Sequence, residues 1–272
     1  MLRRKLIAER ILEEAALAPS PFATASDIAV AHDPAYVASV QSGTISAAAM
    51  RRIGFPWSAF IWQRSQATMG GAVAAALAAL ETGVSGQLAG GTHHAHYGYG
   101  AGYCVFNDFA IVALTLLAAR RAARMAIIDL DVHQGDGNAA ILGGRDDVFV
   151  FSVHGAKNFP FRKEKSTLDI ELADGAEDDV YLRALNESLP AVWAFRPDLV
   201  LYQAGVDPLK EDRLGRMALT HQGLMARDRM VLDSASSRGI PVSIAIGGGY
   251  AQPIEASVEA YANTWRVARA IY

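Results

Sequence analysis

Residues 125–137, MAIIDLDVHQGDG, decide the fold, because a continuous apolar run passes there directly into acidic, histidine and glycine residues. We predict that residues 125–131 form a strand. Three further apolar runs have the same character, at residues 148–153, 199–203 and 242–246. Apolar runs that do not alternate with polar residues indicate strands covered on both faces, as in a parallel sheet.

Helical patterns lie between and around these strands, at residues 66–80, 108–121, 177–193, 222–237 and 253–270. Alternating strands and helices at this spacing predict right-handed crossovers and a mostly parallel α/β sheet. The first 14 residues are predicted to form an amphipathic helix. Since no stretch rich in Pro, Gly or Ser divides the chain, residues 1–272 are predicted to be one domain.

Composition excludes several classes of protein. The chain has 272 residues, a formal net charge of -3 and 19% charged residues, which argues against nucleic-acid binding through bulk positive charge. The longest apolar stretches, residues 69–80 and 109–119, are shorter than the roughly 20 residues that a membrane span needs. The single cysteine, Cys104, excludes an internal disulfide and favours a cytoplasmic protein.

Polar and flexible residues follow all four predicted strands. Asp131 and His133 follow the first, His154 the second, Asp207 the third, and a glycine triplet with Tyr250 the fourth. Open α/β sheets bind ligands at the carboxyl ends of their strands, so a site built from four loops is expected.

The first of these loops has the composition of a metal site. Asp129, Asp131 and His133 share one face of an extended segment, and Asp131 and His133 lie nearest its open end. A catalytic zinc usually takes three protein ligands and a water, and Asp207 is the best candidate for the third ligand. Acidic residues at strand ends also cap helices, but the surrounding DLDVHQGDG pattern favours zinc.

Two adjacent histidines, His93 and His94, follow a Gly-Gly pair and favour a catalytic role, because imidazole titrates near neutral pH. Asp129 and Asp136 are candidates for fixing the orientation of neighbouring imidazole rings. His96 is interpreted as a partly exposed loop histidine. Tyr250 follows three glycines and could polarise a carbonyl oxygen, although a tyrosine at such a turn often serves packing.

These segments, in this order, resemble the signature of the zinc-dependent histone deacetylase superfamily. The motifs are GGTHHAHYGYGAGYCVFN at residues 90–107, IDLDVHQGDG at 128–137, SVH at 152–154, AGVDPLKEDRLG at 204–215 and GGGY at 247–250. The details look closest to class IV enzymes and bacterial histone deacetylase-like proteins. The resemblance implies the three-layer arginase/deacetylase-like fold.

The resemblance also implies a role for each matching residue. It places one zinc ion on Asp131, His133 and Asp207, with His94 as general base and acid and His93 as its electrostatic partner. Asp129 and Asp136 would pair with His93 and His94, and Tyr250 would polarise the acyl carbonyl. The implied substrate tunnel is bordered by Gly102, Tyr103, Phe161 and Leu214. A structural potassium ion is implied at Asp129, Asp131, His133, Ser152 and Val153.

One departure concerns the N-terminal region. Family members usually have an extra first strand and a rim loop before the helix that begins here near Leu2, and both are expected to be missing. A sheet edge left exposed in this way could pair with another chain, so oligomerisation is a hypothesis.

The predicted activity is zinc-dependent hydrolysis of an acyl-lysine side chain or of a small acylated amine, through a zinc-bound water. One alternative is a binuclear manganese ureohydrolase, which needs more bridging carboxylates than this motif offers, since the second residue after His133 is Gly135. Another alternative is a catalytically silent module that binds acyl-lysine or polyamine. The acyl chain length and the physiological substrate stay open.

Overall fold

The computed structural model describes residues 1–272 and contains one six-stranded sheet in which every pairing is parallel. The spatial order is β1-β6-β5-β2-β3-β4. The strands are β1 (Val84–Gly86), β2 (Met125–Asp129), β3 (Val148–Gly155), β4 (Leu168–Leu172), β5 (Leu199–Gln203) and β6 (Val242–Ala245). The predicted parallel α/β class is therefore confirmed.

The two strands at the sheet edges, β1 and β4, were not predicted. Strand β1 has only three residues, Val-Ser-Gly, and β4 has the alternating sequence LDIEL with most of its residues partly exposed. Neither has the continuous apolar run of a central strand, because an edge strand is covered less completely.

Ten α-helices surround the sheet. They are α1 (Leu2–Ala8), α2 (Ala25–Ile28), α3 (Pro34–Ser42), α4 (Ala47–Ile53), α5 (Ala59–Thr82), α6 (Asp108–Ala118), α7 (Asp136–Leu142), α8 (Asp178–Ala194), α9 (His221–Ser236) and α10 (Ile254–Ile271). The five predicted helices are present, although α5 begins seven residues earlier than expected. The prediction for the first 14 residues was too long, since α1 ends at Ala8. Helix α7 begins at Asp136, which had been assigned to a loop.

Side chains of the central strands alternate between two apolar layers. In β2, Ala126 and Ile128 belong to the layer that contains residues of α8, α9 and α10. Met125 and Ile127 belong to the opposite layer, together with residues of α5 and α6. Because both faces are covered, the strand is apolar at every position, as its sequence indicated.

The strand order brings the motif-bearing segments together. Strand β2 lies between β3 and β5, and Asp129 is level with Ser152 on one side and Gln203 on the other. Parallel strands end at the same edge, so the segments that follow β2, β5 and β6 meet there. None of the helices combines the length and the apolar character needed to traverse a lipid bilayer.

Candidate active site and metal centre

Asp131, His133 and Asp207 converge beyond the carboxyl ends of β2 and β5. The Nδ1 atom of His133 lies 3.0 Å from Oδ1 of Asp131 and 3.0 Å from Oδ2 of Asp207. One ligand atom from each residue falls within 4.8 Å of the others, and both carboxylates are buried. Two carboxylates and one imidazole form a donor set that suits zinc, so the residues present fit this ion.

Backbone amides hold the two carboxylates in place. The Gly248 amide donates to Oδ2 of Asp131 at 2.7 Å, and the Val132 amide donates to Oδ1 of Asp207 at 2.8 Å. In each carboxylate, therefore, one oxygen accepts a hydrogen bond from one of these amides and the other faces the His133 ring. A side chain at position 248 would collide with the Asp207 carboxylate, which explains the glycine there.

His93 and His94 lie beside Asp131 and His133, and the imidazole of each contacts a different carboxylate. Nδ1 of His93 is 2.8 Å from Oδ2 of Asp129, and Nδ1 of His94 is 2.6 Å from Oδ1 of Asp136. The two imidazole rings are 4.1 Å apart, and His94 is 5.9 Å from the ring of His133. The structure thus brings both implied histidine–aspartate pairs within hydrogen-bond distance.

The two histidines have opposite electrostatic environments. Burial acts to lower the pKa of His93, but the charges of Asp129 and Asp131 outweigh it and raise the pKa to about 9. Burial, together with the neighbouring His93, lowers the pKa of His94 to about 4. His94 is therefore neutral, and since Nδ1 donates its proton to Asp136, Nε2 is the free basic nitrogen.

His96 is a partly exposed loop histidine, as interpreted, but it also contributes to the same network. Its Nε2 lies 3.0 Å from Oδ2 of Asp136, and its ring stacks on Tyr99 at 4.5 Å. Asp136 is thus shared between His94 and His96. Against the effect of burial, these two hydrogen bonds lower its pKa, so the carboxyl group is ionised.

Tyr250 lines the same cavity as Asp131 and His133. Its backbone amide donates to Oδ2 of Asp212 at 2.5 Å, while Oδ1 of Asp212 accepts from the amides of Leu214 and Gly215. Asp212, which the sequence analysis did not single out, thereby joins the Tyr250 loop to the segment that carries Leu214. Burial, with Asp131 and Asp207 nearby, raises the pKa of Tyr250, so its hydroxyl stays protonated and can donate a hydrogen bond.

A buried arginine on α9, also missed, connects the two loops that carry Asp131 and Asp207. The guanidinium of Arg227 donates to the carbonyl oxygens of Gly205, at 2.5 Å, and Leu130, at 3.2 Å. These residues lie just before Asp207 and Asp131 in the chain. Arg227 is 0% exposed and is paired with Asp228 at 2.7 Å. Its side chain thus holds the loop that carries Asp131 against the loop that carries Asp207.

The implied tunnel residues line one cavity of about 920 Å³, together with His93, His94, Asp131, His133 and Tyr250. Gly102 has φ +54°, and a Cβ atom there would lie 2.6 Å from the His94 ring, so glycine is required. Tyr103 follows with φ +65°. Leu214 and Phe161 also line the cavity, but Phe161 is 86% exposed.

Phe159 was missed as a cavity wall. Its ring packs edge-to-face on His94 with 4.8 Å between ring centres, and the residue is half-buried and lines the cavity. Phe161, which the resemblance implied, lies two residues further along the same loop and lines the cavity as well. A loop carries no periodicity that would distinguish the two aromatic rings.

The residues implied for potassium lie next to the metal residues. Asp129 and Ser152 are paired across β2 and β3, and both are buried. The Ser152 hydroxyl lies 2.9 Å from Nδ1 of His154. Val153 follows on the same strand.

Comparisons with known proteins agree with this geometry. The family model described as "Histone deacetylase domain" matches residues 1–267. An uncharacterized protein of Picosynechococcus sp. is 46% identical over 242 residues, covering 89% of this chain and 81% of that protein. Histone deacetylase 2 of Arabidopsis thaliana is 31% identical over 255 residues, covering 90% of this chain and 66% of that protein. The crystal structure of an HDAC homolog from Aquifex aeolicus matches with a TM-score of 0.84 at 26% identity, covering 98% of this chain and 76% of that one.

Proposed function

Because this chain belongs to the histone deacetylase domain family, we propose that it is an amidohydrolase that removes an acyl group from a lysine side chain or from a small acylated amine. One observation carries the proposal: Asp131, His133 and two carboxylate-bound histidines line a single cavity, and Asp207 converges with Asp131 and His133 behind its wall. Zinc would be held by those three residues. When bound, it would act as a Lewis acid that acidifies water and polarises the amide carbonyl.

His94 is the proposed general base. Asp136 fixes its Nδ1 proton by the 2.6 Å hydrogen bond, which leaves Nε2 free to accept a proton from the attacking water. The same nitrogen can then return the proton to the amine that leaves. His93, held by Asp129, would contribute a neighbouring positive charge that favours negative charge developing on the substrate.

Tyr250 is the proposed hydrogen-bond donor to the acyl oxygen. Its hydroxyl is protonated over the working pH range, since burial and nearby carboxylates raise its pKa. A donor aimed at an oxygen that gains negative charge stabilises the transition state more than the substrate. Asp212 supports this role through its hydrogen bond to the Tyr250 amide.

A potassium ion is proposed as a structural partner of Asp129, Ser152 and the backbone of Asp131, His133 and Val153. Support comes from the pairing of Asp129 with Ser152 on neighbouring strands at the end of the sheet. Its role would be to hold the metal-bearing loop against β3.

The test is hydrolysis of acetyl-lysine and longer acyl-lysine peptides, measured as released acid with purified, zinc-loaded protein. We expect about one zinc per chain, and Tyr250→Phe should lower kcat by about 100- to 1000-fold without changing zinc content. Tyr97→Phe is the matched control, since Tyr97 is exposed and lies outside the cavity.

Three outcomes would contradict the proposal. Wild-type turnover by Tyr250→Phe would remove the role of this tyrosine. Binding of a hydroxamate without hydrolysis of any acyl amide would identify a silent binding module. Two divalent ions per chain, with hydrolysis of guanidino compounds, would identify a binuclear ureohydrolase.

A further inference from the structure

The cavity that Asp131 and His133 line is also lined by an excess of positive charge. Five exposed cationic side chains line it, and we call them the basic rim: Arg51, Arg52, Arg64, Lys157 and Arg216. The one carboxylate that lines the cavity is Asp131, a proposed zinc ligand. The whole chain has a net charge of -3, so the basic rim does not reflect the average composition.

Other side chains neutralise only part of this charge. Arg216 and Lys157 share one carboxylate, Asp174, at 3.3 and 3.9 Å. Asp212, the acidic residue on the Tyr250 loop, turns both oxygens toward backbone amides. Arg51 has no carboxylate within ion-pair distance. A net positive charge therefore faces whatever enters the cavity.

Two of the rim arginines rest on aromatic rings. The guanidinium of Arg52 lies 4.8 Å from the centre of the Tyr99 ring, and that of Arg64 lies 5.6 Å from the Phe55 ring. A cation over an aromatic face keeps its charge, since the ring attracts it without neutralising it. These contacts hold two exposed charges on the cavity wall and leave them available to a ligand.

A cleft lined by one sign of charge concentrates ligands of the opposite sign and speeds their association. Resting on the function proposed above, we infer that the basic rim selects acyl-lysine flanked by aspartate or glutamate and rejects acylated polyamines. A polyamine brings its own positive charges to the rim, where like charges repel. An acidic peptide places carboxylates opposite the arginines while its acyl-lysine side chain enters the cavity.

The test uses three acetyl-lysine peptides that differ only in flanking residues, which are acidic, neutral or basic, together with N-acetylputrescine and free acetyl-lysine. We expect kcat/KM to fall from the acidic to the basic peptide by about 10-fold or more at low salt, because steering effects are of this size or larger. The difference should shrink at high salt, as screening requires. Free acetyl-lysine distinguishes a small carboxylate-bearing substrate from an acidic peptide.

The charge-reversal variant Arg51→Glu/Lys157→Glu should remove most of the preference for the acidic peptide. The matched control is Arg4→Glu/Arg229→Glu, which changes the net charge equally at exposed residues outside the cavity. The control should keep the wild-type preference. If both variants lose the preference equally, the effect belongs to total charge and the inference is wrong.

Binding of fluorescently labelled forms of the three peptides, measured by anisotropy, separates this inference from the proposed function. Equal affinity for all three peptides, or tighter binding of the basic one, would overturn the inference even if every peptide is hydrolysed. Tighter binding of the acidic peptide without any hydrolysis would uphold the rim's selectivity and contradict the hydrolase.

Discussion

The floor of the cavity and its basic rim differ in burial, in charge and in the way their side chains are held. By the floor we mean the lining residues Asp131, His133, His93 and His94 together with the carboxylates of Asp129, Asp136 and Asp207 that hold them from behind, and all of these carboxylates are almost fully buried. Each floor side chain has at least one hydrogen bond that fixes its direction. The rim residues are exposed, and their contacts are a shared carboxylate and two aromatic faces.

This difference indicates which residues determine the stability of the protein and which determine its choice of substrate. Buried polar groups need partners, because an unpaired one loses its hydration without compensation. Exposed charges keep their water, so changing one alters the free energy of unfolding little. The floor should therefore be intolerant of substitution, and the rim should tolerate substitutions that redirect substrate choice.

The largest effect is expected for Arg227→Met, beneath the floor. Removing the guanidinium takes away the positive charge paired with the buried Asp228, which keeps only the hydroxyl donors of Tyr202 and Thr264, and this should lower the free energy of unfolding by about 3–5 kcal/mol. The carbonyls of Leu130 and Gly205 would also lose their donor, so zinc affinity should fall. Urea unfolding and calorimetric zinc titration measure the two effects.

Arg51→Met, on the rim, is the matched control and should change the free energy of unfolding by no more than about 0.5 kcal/mol. Equal destabilisation by the two variants would contradict the contrast between floor and rim. If Arg227→Met does not fold, Arg227→Lys keeps the charge, and it should recover folding while still weakening zinc binding.

The second-largest effect is expected on the pH dependence of stability, and it comes from His32. This residue supports the segment that follows the adjacent histidines. Its Nε2 accepts from the Asn107 amide at 2.8 Å, and Nδ1 lies 3.0 Å from the His96 carbonyl oxygen. This arrangement requires a neutral ring, and burial lowers the pKa of His32 to about 4.

The unfolded chain takes up a proton at His32 near pH 6.5, whereas the folded protein does so only near pH 4. The stability that His32 contributes is therefore complete above pH 6.5 and is lost as the pH falls toward 4. The loss should be about 3 kcal/mol. Urea unfolding from pH 7 to 4 should show a steeper decline for the wild type than for His32→Gln, and parallel declines would refute the assignment.

The smallest effect is expected on kcat/KM, from substituting two aromatic residues on one loop. Phe159 contacts His94, whereas Phe161 is 86% exposed. Phe159→Ala should reduce kcat/KM for an acetyl-lysine peptide by about 10- to 200-fold, the range for a lost apolar contact with substrate. Phe161→Ala should cause a smaller reduction. The reverse order would identify Phe161 as the principal wall.

Much of the fold could be predicted from the sequence, because the central strands are covered on both faces. Strands β2, β3, β5 and β6 have unbroken apolar runs, and each was predicted to within a few residues. The edge strand β4 was missed because its alternating residues are largely exposed. The start of α5 was placed late, since residues 59–65 include exposed polar positions.

The candidate site could be predicted where residues lie in short motifs and not where they act across the fold. Asp131 and His133 are two residues apart on one strand exit, so their proximity is a local property. Arg227 is 97 residues from Leu130, and no spacing in the chain indicates that they meet. The role of His96 was missed for the same reason, since its partner Asp136 is 40 residues away.

The sequence by itself determined the parallel α/β class, the strand ends that carry polar residues, and the family whose motifs those residues form. These properties follow from hydrophobic patterns and short spacings, which are set locally along the chain. The tertiary structure alone decided which carboxylate His96 shares, how Arg227 joins the loops of Asp131 and Asp207, and that five cations from four segments of the chain line one cavity. Such arrangements depend on distances between residues far apart in the chain, which are fixed only when the helices pack on the sheet.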